Sequence, residues 1–309
     1  MSGIAVKVLS VYVLICLIWG STWLVIRVGL ESLTPLISSG FRFTLASFLI
    51  ILIMRIRKIS IQKDRTSVIL YFIMGLFSFA IPFGLVYWAE QFVPSGLAAV
   101  LFGIYPFFIA LFSYLMIPNE EVGIYRLVGL VLGFTGIVII FSDQFGGNIS
   151  SYLIGMTAVV LSGVIQAMNA VIIKKYGHHL NPLSMNFIPM LIAGVLLLFS
   201  GLLTEDISSL KFDSNAVLSV TYLALFGSII TFTSFYWLLK RISIVLLSLV
   251  AFITPVIALI LGWLLYDENL LSHHIAGSGM VLAGLLTANL SNVFKQQKKK
   301  QEQVVKINE

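Results

Sequence analysis

The chemistry this sequence offers centres on one arginine set in a long apolar run. Arg42 lies eight residues past Thr34, about 12 Å along a helix at roughly 1.5 Å per residue. A cation at that depth in an apolar phase costs several kcal/mol unless it faces a cavity or finds a partner. Arg42 is therefore suited to receive the carboxylate or phosphate of a solute; the competing reading is a bond to helix-end carbonyls. Other polar groups interrupt apolar runs at Ser21, Thr22, Gln166, Asn169, Asn186, Ser234 and Asn289. Gln166 and Asn169 are three apart and share a helical face, as a hydrogen-bonding cavity wall or as glue between helices. Trp19 and Tyr105 are central enough in their runs to line a cavity. Arg42, Trp19, Thr22, Tyr105, Gln166 and Asn169 form the candidate substrate-binding set.

Other chemistries find no support. There is no HExxH pair, no Walker A sequence and no nucleophile set beside a base. Asp143, Asp206, Asp213 and Asp267 are isolated in loops. One cysteine, Cys16, excludes an internal disulfide and a multi-thiolate zinc site. The pairs His178-His179 and His273-His274 read as solvated loop residues, so neither metal nor cofactor is expected. Glu31 falls in the first outer loop and Glu90 at the outer end of the third apolar run, and both also read as solvated. If the chain carries a solute, the lack of any acid inside the long apolar runs favours facilitated or exchange transport over coupling through a buried carboxylate. Asn148-Ile149-Ser150 matches a glycosylation acceptor.

The elements that must position these residues follow from composition. Of 309 residues, 59% are apolar and 10% charged, and the mean hydropathy is +1.03. Soluble domains carry about 25% charged residues, so too few are available to cover a globule of this size. That excludes a soluble enzyme, a nucleic-acid binder and a disordered chain. Ten apolar stretches reach the length of a membrane helix: 8–26, 34–54, 67–89, 95–116, 124–141, 152–173, 182–203, 216–239, 244–266 and 275–294. The first has Lys7 ahead of it but no cleavage site after it, and is read as retained. With the N-terminus inside, 16 of the 19 cations fall in inside segments, leaving Lys211, Arg27 and Arg42. The positive-inside rule then puts both termini in the cytoplasm of a multi-pass plasma-membrane protein. Residues 295–309 form a basic cytoplasmic tail that faces solvent or lipid.

The chain also repeats itself. Tyr87-Trp88 and Pro106 recur as Tyr236-Trp237 and Pro255 at an offset of 149. An acid follows each proline span, Glu120 and Glu268, and glycines follow at a spacing of seven, Gly129 and Gly136 against Gly277 and Gly284. Arg27 and Pro35 match Lys174 and Pro182 at 147, and at that offset Gln166 matches Trp19. The halves are 8–141 and 152–294, five spans each, and an odd number of spans inverts the second. Inverted repeats suit a carrier that alternates between two faces, with its site near the midplane. Pro106 and Pro255 would bend equivalent helices as hinges; Pro82 and Pro189 also fall inside spans. The glycine rows read as helix contacts within each half or between protomers. Tyr87, Trp88, Tyr236 and Trp237, at span ends, read as interfacial anchors.

The string Ile18-Trp19-Gly20-Ser21-Thr22-Trp23, the triplet Phe41-Arg42-Phe43 and the two proline spans ending in an acid resemble the drug/metabolite transporter superfamily, specifically its EamA branch. The resemblance covers nearly the whole chain. It implies an all-α membrane protein of ten helices in two inverted five-helix repeats, cytoplasmic termini, a central cavity and transport of small metabolites, most often export of amino acids. Asn119-Glu120-Glu121 departs from the family's usual Gly-Glu pair. The expectation is a secondary transporter, not an enzyme, whose partners are a small-molecule solute and membrane lipids, with a homodimer left open. The alternative is a membrane-embedded enzyme or a lipid-handling protein.

Overall fold

The computed structural model describes residues 3–116, 124–142, 150–177, 179–239, 241 and 250–287. Glu120, Glu121, Asp143, Asn148, His178, Asn289, 244–249 and the tail 295–309 lie outside the described residues. Apolar sequence and well-chosen ends produce a succession of helices: α1 (Gly3–Gly29), α2 (Pro35–Ile56), α3 (Arg65–Ala89), α4 (Ser95–Met116), α5 (Ile124–Ile140), α6 (Ser151–Tyr176), α7 (Pro182–Thr204), α8 (Ser214–Ala224, Leu225–Ile230 and Thr231–Leu239 in one run), α9 (Val250–Tyr266) and α10 (272–287). Seven of them, α1 to α4 and α6 to α8, are long and apolar enough to cross a membrane; Val128–Ile140 and Ile253–Tyr266 are shorter apolar helices.

The helix starts follow local rules. Proline opens α2 and α7, where its missing N–H costs nothing. Asp64, Ser150, Asn181 and Asp213 accept from backbone N–H groups at the starts of α3, α6, α7 and α8. Two caps come from far away in sequence. Glu205 accepts from Leu36 and Ile37 at the start of α2 (2.8 and 3.1 Å), and Glu268 accepts from Ser95 and Gly96 at the start of α4 (2.6 and 3.0 Å). A carboxylate is well placed at a helix N-terminus, where unpaired N–H groups and the dipole both favour it.

Two helices carry a π segment, Gly75–Ala80 in α3 and Leu225–Ile230 in α8. They begin 150 residues apart (225 − 75). α4 is interrupted at Gly103 and Ile104, so Pro106 sits in the first turn of the helix that resumes at Tyr105. Pro255 lies inside an unbroken helix. The two prolines thus bend their helices differently.

Helices from the first 141 residues pack mainly on helices from the rest. α2 runs antiparallel along α7, with Gly40 against Leu198 and Gly194 against the backbone of Thr44. α1 packs on α8 and α9, and α6 on α3 and α4. Gly136 and Gly277 lie against each other's carbonyls, and Gly284 lies against Gly129 and Gly133. The glycine rows therefore join α5 to α10, correcting the reading of a contact within each half or between protomers. Without side chains the two backbones approach closely. All five buried apolar clusters among the described residues draw on both halves; one combines Phe43, Phe79, Met190 and Ala224.

Large apolar side chains also cover the outside in helical rows, including Leu9, Val13 and Leu17 on α1, Phe48, Leu52 and Ile56 on α2, and Val195, Phe199 and Leu202 on α7. Water-soluble proteins rarely expose contiguous apolar surface on this scale. Lipid is the solvent that matches it.

Candidate functional site

The site is built where the π segment of α8 meets α1, α2 and α3. A π turn carries an extra residue per turn and disturbs the regular hydrogen-bond ladder. Here the Ser228 hydroxyl donates to the Leu223 carbonyl five residues back (3.0 Å). Gly227 precedes it, and a side chain there would meet Thr22 Cγ2 at 3.0 Å and Arg42 Nη2 at 3.3 Å. The missing Cβ lets Arg42 approach the turn.

Arg42 is 3% exposed. Its Nε donates to Ser228 Oγ (3.2 Å), its Nη2 to the Gly227 carbonyl (3.3 Å) and its Nη1 to Tyr87 Oη (3.4 Å). The guanidinium also lies 4.9 Å from the ring centroid of Phe83 and 5.2 Å from that of Phe43, within cation–π range. Every acceptor is neutral, and no carboxylate among the described residues lies within ion-pair distance. The bonds are longer than the roughly 2.7–2.9 Å usual for a cation paired with an anion. This is a buried cation held in place but not neutralised. Chemically, such an arrangement can receive an anion, since buried charge is costly until paired.

Thr22 is buried beside it, its hydroxyl returned to the Trp19 carbonyl (2.8 Å). Trp19 is half-buried and packs on Phe232 and Phe235. From Phe232 the aromatic contacts run through Phe79 to Phe43 and Phe83. Trp19 and Thr22 are thus joined to the surroundings of Arg42. Asn169 is buried, and its amide donates to Ser78 in the other π segment. Ser78 precedes Ser228 by 150 residues and Thr22 precedes Asn169 by 147, so each π turn has a polar residue of the opposite half beside it. Gln166 and Tyr105 are half-buried, Gln166 on α6 and Tyr105 on α4, two helices that pack together where Gly163 lies toward Ile104 and Phe102. Tyr105 stacks on Phe102 (5.6 Å between centroids).

Several expectations need correction. Tyr87 is no interfacial anchor: it is fully buried and carries the hydroxyl that meets Arg42. Trp237 is half-buried against Tyr12, Ile15, Leu238 and their neighbours, with Arg241 over its ring (4.0 Å). Glu90 is not solvated; it is 0% exposed, because α3 ends against the core and the connection is too short to lift it out. His273 and His274 start α10 and do not lie in a loop, and His274 is buried against Tyr152 (3.3 Å). His179 meets Ser67 (3.0 Å) and Asp64 (3.8 Å). Sequence reasoning missed Tyr87, Gly227, Ser228 and Ser78. The recurrence of tyrosine at 87 and 236 was the one available signal, and it pointed to span ends.

At the end of the bundle that carries the 30–34 and 205–213 connections, polar groups lace the helices together. Glu31 accepts from Tyr266 and from Asn215 (3.0 Å for the latter), and Ser32 donates to Asp213 (2.8 Å). The Arg27 guanidinium donates to the backbone carbonyl of Glu90.

Comparison with known proteins matches this chain to the EamA-like transporter family over residues 6–142 and again over 153–290. It is 33% identical over 281 residues to the uncharacterized inner membrane transporter YedA of Escherichia coli K12, covering 89% of this chain and 88% of that protein. It is 30% identical over 285 residues to the uncharacterized transporter YoaV of Bacillus subtilis, covering 91% and 96%. A crystal structure sharing 19% identity superposes with a TM-score of 0.66 over 92% of this chain and 96% of that one, a likeness of fold.

Proposed function

This chain belongs to the EamA-like transporter family and is a multi-pass membrane transporter, and from that premise we propose that it is a secondary carrier, independent of ATP, that exports a small carboxylate-bearing metabolite such as an amino acid. The ten helices work as two inverted repeats, 8–141 and 152–294, with both termini in the cytoplasm, and the Arg42 region faces the two sides alternately. Arg42 receives the solute's carboxylate. Trp19 and Thr22 contact the remainder, Asn169 and Gln166 add hydrogen bonds, and Tyr105 adds an aromatic wall. Pro106 and Pro255 lie where bending accompanies the alternation.

The observation that carries this reading is the un-neutralised Arg42, buried at 3% exposure among neutral acceptors. A purely structural arginine gains most from a carboxylate of its own chain. Here that place is left for another anion, and the aromatic faces of Phe43 and Phe83 hold the cation meanwhile. The inverted reading is supported by the two π segments, the antiparallel α2–α7 pairing and the α5–α10 glycine contact, each of which relates one half to the other. The names of relatives speak for transport rather than for an enzyme.

The test is uptake of a mixed panel of radiolabelled amino acids into liposomes holding the purified protein, with Arg42→Ala alongside. Saturable uptake of a carboxylate-bearing solute, lost in Arg42→Ala, is the expected result. No uptake by well-folded protein sinks the amino-acid assignment. Equal uptake by the variant removes Arg42 from the solute's path.

A further inference from the structure

Glu90 closes the connection after α3 and is 0% exposed, yet neither oxygen of its carboxyl has a hydrogen-bond partner among the described residues. A bare carboxylate in such a place costs several kcal/mol. The charged groups around it are all accounted for by other duties. Arg27 of α1 spends its guanidinium on the backbone carbonyl of Glu90, not on the side chain. Glu268, from the turn after α9, is fixed by the N–H groups of Ser95 and Gly96. Gly262 makes room for it, since a Cβ there would meet Glu268 Oε2. Arg42 of α2 and Tyr87 of α3 are bonded to each other (3.4 Å). At the same end of the bundle Glu31 is engaged by Tyr266 and Asn215, and Tyr152 of α6 meets His274 of α10 beside His273.

We propose that Glu90 is a proton-binding site, holding one proton in this conformation and releasing it when Glu268 moves away or Arg27 moves closer. The proton joins a carboxylate oxygen from water and returns to water, with no other bond made or broken. Its affinity is set by opposing influences. Burial and the Glu268 anion push the Glu90 carboxyl well above the ordinary carboxylate range, while the Arg27 and Arg42 cations pull it down. Any motion that separates the end of α1 from the end of α3, or the turn after α9 from α4, changes that balance. If the carrier reading of the preceding section holds, the cycle is therefore linked to the movement of a proton, contrary to the expectation drawn from the absence of mid-span acids.

The site is tested without any transported solute. Infrared difference spectra of the purified protein in phosphatidylcholine vesicles are recorded across a pH titration, for the wild type, Glu90→Gln, Glu268→Gln and Arg27→Gln. A protonated-carboxyl band should persist at neutral pH in the wild type and be absent from Glu90→Gln. Glu268→Gln should move its midpoint down by about one pH unit, about tenfold in proton affinity, and Arg27→Gln should move it up. The same band in wild type and Glu90→Gln overturns the assignment. If Glu90→Gln does not fold, a midpoint unmoved in both Glu268→Gln and Arg27→Gln overturns it equally. Linkage to transport is read separately, from the pH dependence of uptake of the amino-acid panel. Wild-type uptake should change across the band's midpoint and Glu90→Gln uptake should not. Identical pH dependence in both rejects the linkage and leaves the carrier reading intact.

Discussion

Arg42 and its three acceptors set the terms at the scale of single residues. The guanidinium fork reaches a carbonyl, a hydroxyl and a phenol on two different helices at once. A lysine ammonium is a compact point charge and cannot span them. Arg42→Lys should therefore retain the charge and still lose uptake of the amino-acid panel by tenfold or more, about 1.4 kcal/mol; near-normal uptake would reduce Arg42 to a diffuse charge. Ser228→Ala removes one acceptor and should cost about 1 kcal/mol in thermal stability. A different residue-scale effect belongs to Asp213, which caps α8 outside the apolar core. The Ala216 N–H and then the Ser32 hydroxyl hold its carboxyl below the ordinary carboxylate value. A depressed pKa in the folded state means the stabilisation is present above the unfolded value, about 3.9. It is lost as the pH falls further, through the folded value. Asn caps as well as Asp but does not titrate. Melting curves of Asp213→Asn in detergent should accordingly lose part of the wild type's fall in stability at acid pH, and an unchanged acid limb would show that this cap carries no linkage.

Among elements, the α5–α10 contact is the one whose sequence signature is most direct. A Cβ at Gly284 would lie 2.6 Å from the Gly129 carbonyl and 2.7 Å from the Gly133 nitrogen, whereas one at Gly279 meets nothing within 4 Å. Backbone cannot rotate away as a side chain can, so Gly284→Ala must push the helices apart. It should lower stability by about 1–3 kcal/mol, against no loss, or a gain of up to about 1 kcal/mol, for Gly279→Ala on the same helix. Equal melting temperatures for the two variants would mean that the close approach does not exist. The long-range caps act between elements too. Glu205 and Glu268 each tie a helix start to a connection more than 160 residues distant in sequence, so they lock neighbours together at one end of the bundle.

For the molecule as a whole, every buried cluster among the described residues mixes residues of the two halves, and none belongs to one half alone. Alternation in such an assembly requires helices to slide on shared surfaces, and does not separate two finished domains. The proposed orientation has a direct test. In a Cys16→Ser background, Lys211→Cys should react with a membrane-impermeant maleimide on intact cells, and Lys63→Cys only after lysis. Labelling of both from the same side would overturn the topology.

Much of this protein can be read without its structure. Hydropathy exposes the spans because a backbone in lipid must bond to itself, which leaves long apolar helices as the solution. The repeat shows in matched prolines and glycines, and the depth of Arg42 shows in its distance from Thr34. Those are properties of one segment at a time, or of segments compared by offset. Tyr87 and Glu90 were misjudged because position along a helix tells how near its end a residue lies, not which neighbours close over that end. The π turns, the Gly227 approach and the reach of Glu268 to α4 depend on contacts between segments far apart in sequence. No local pattern encodes them. Only the packing of the two halves decided which polar groups were buried, which were bonded, and which were left with a charge or a proton still to be satisfied.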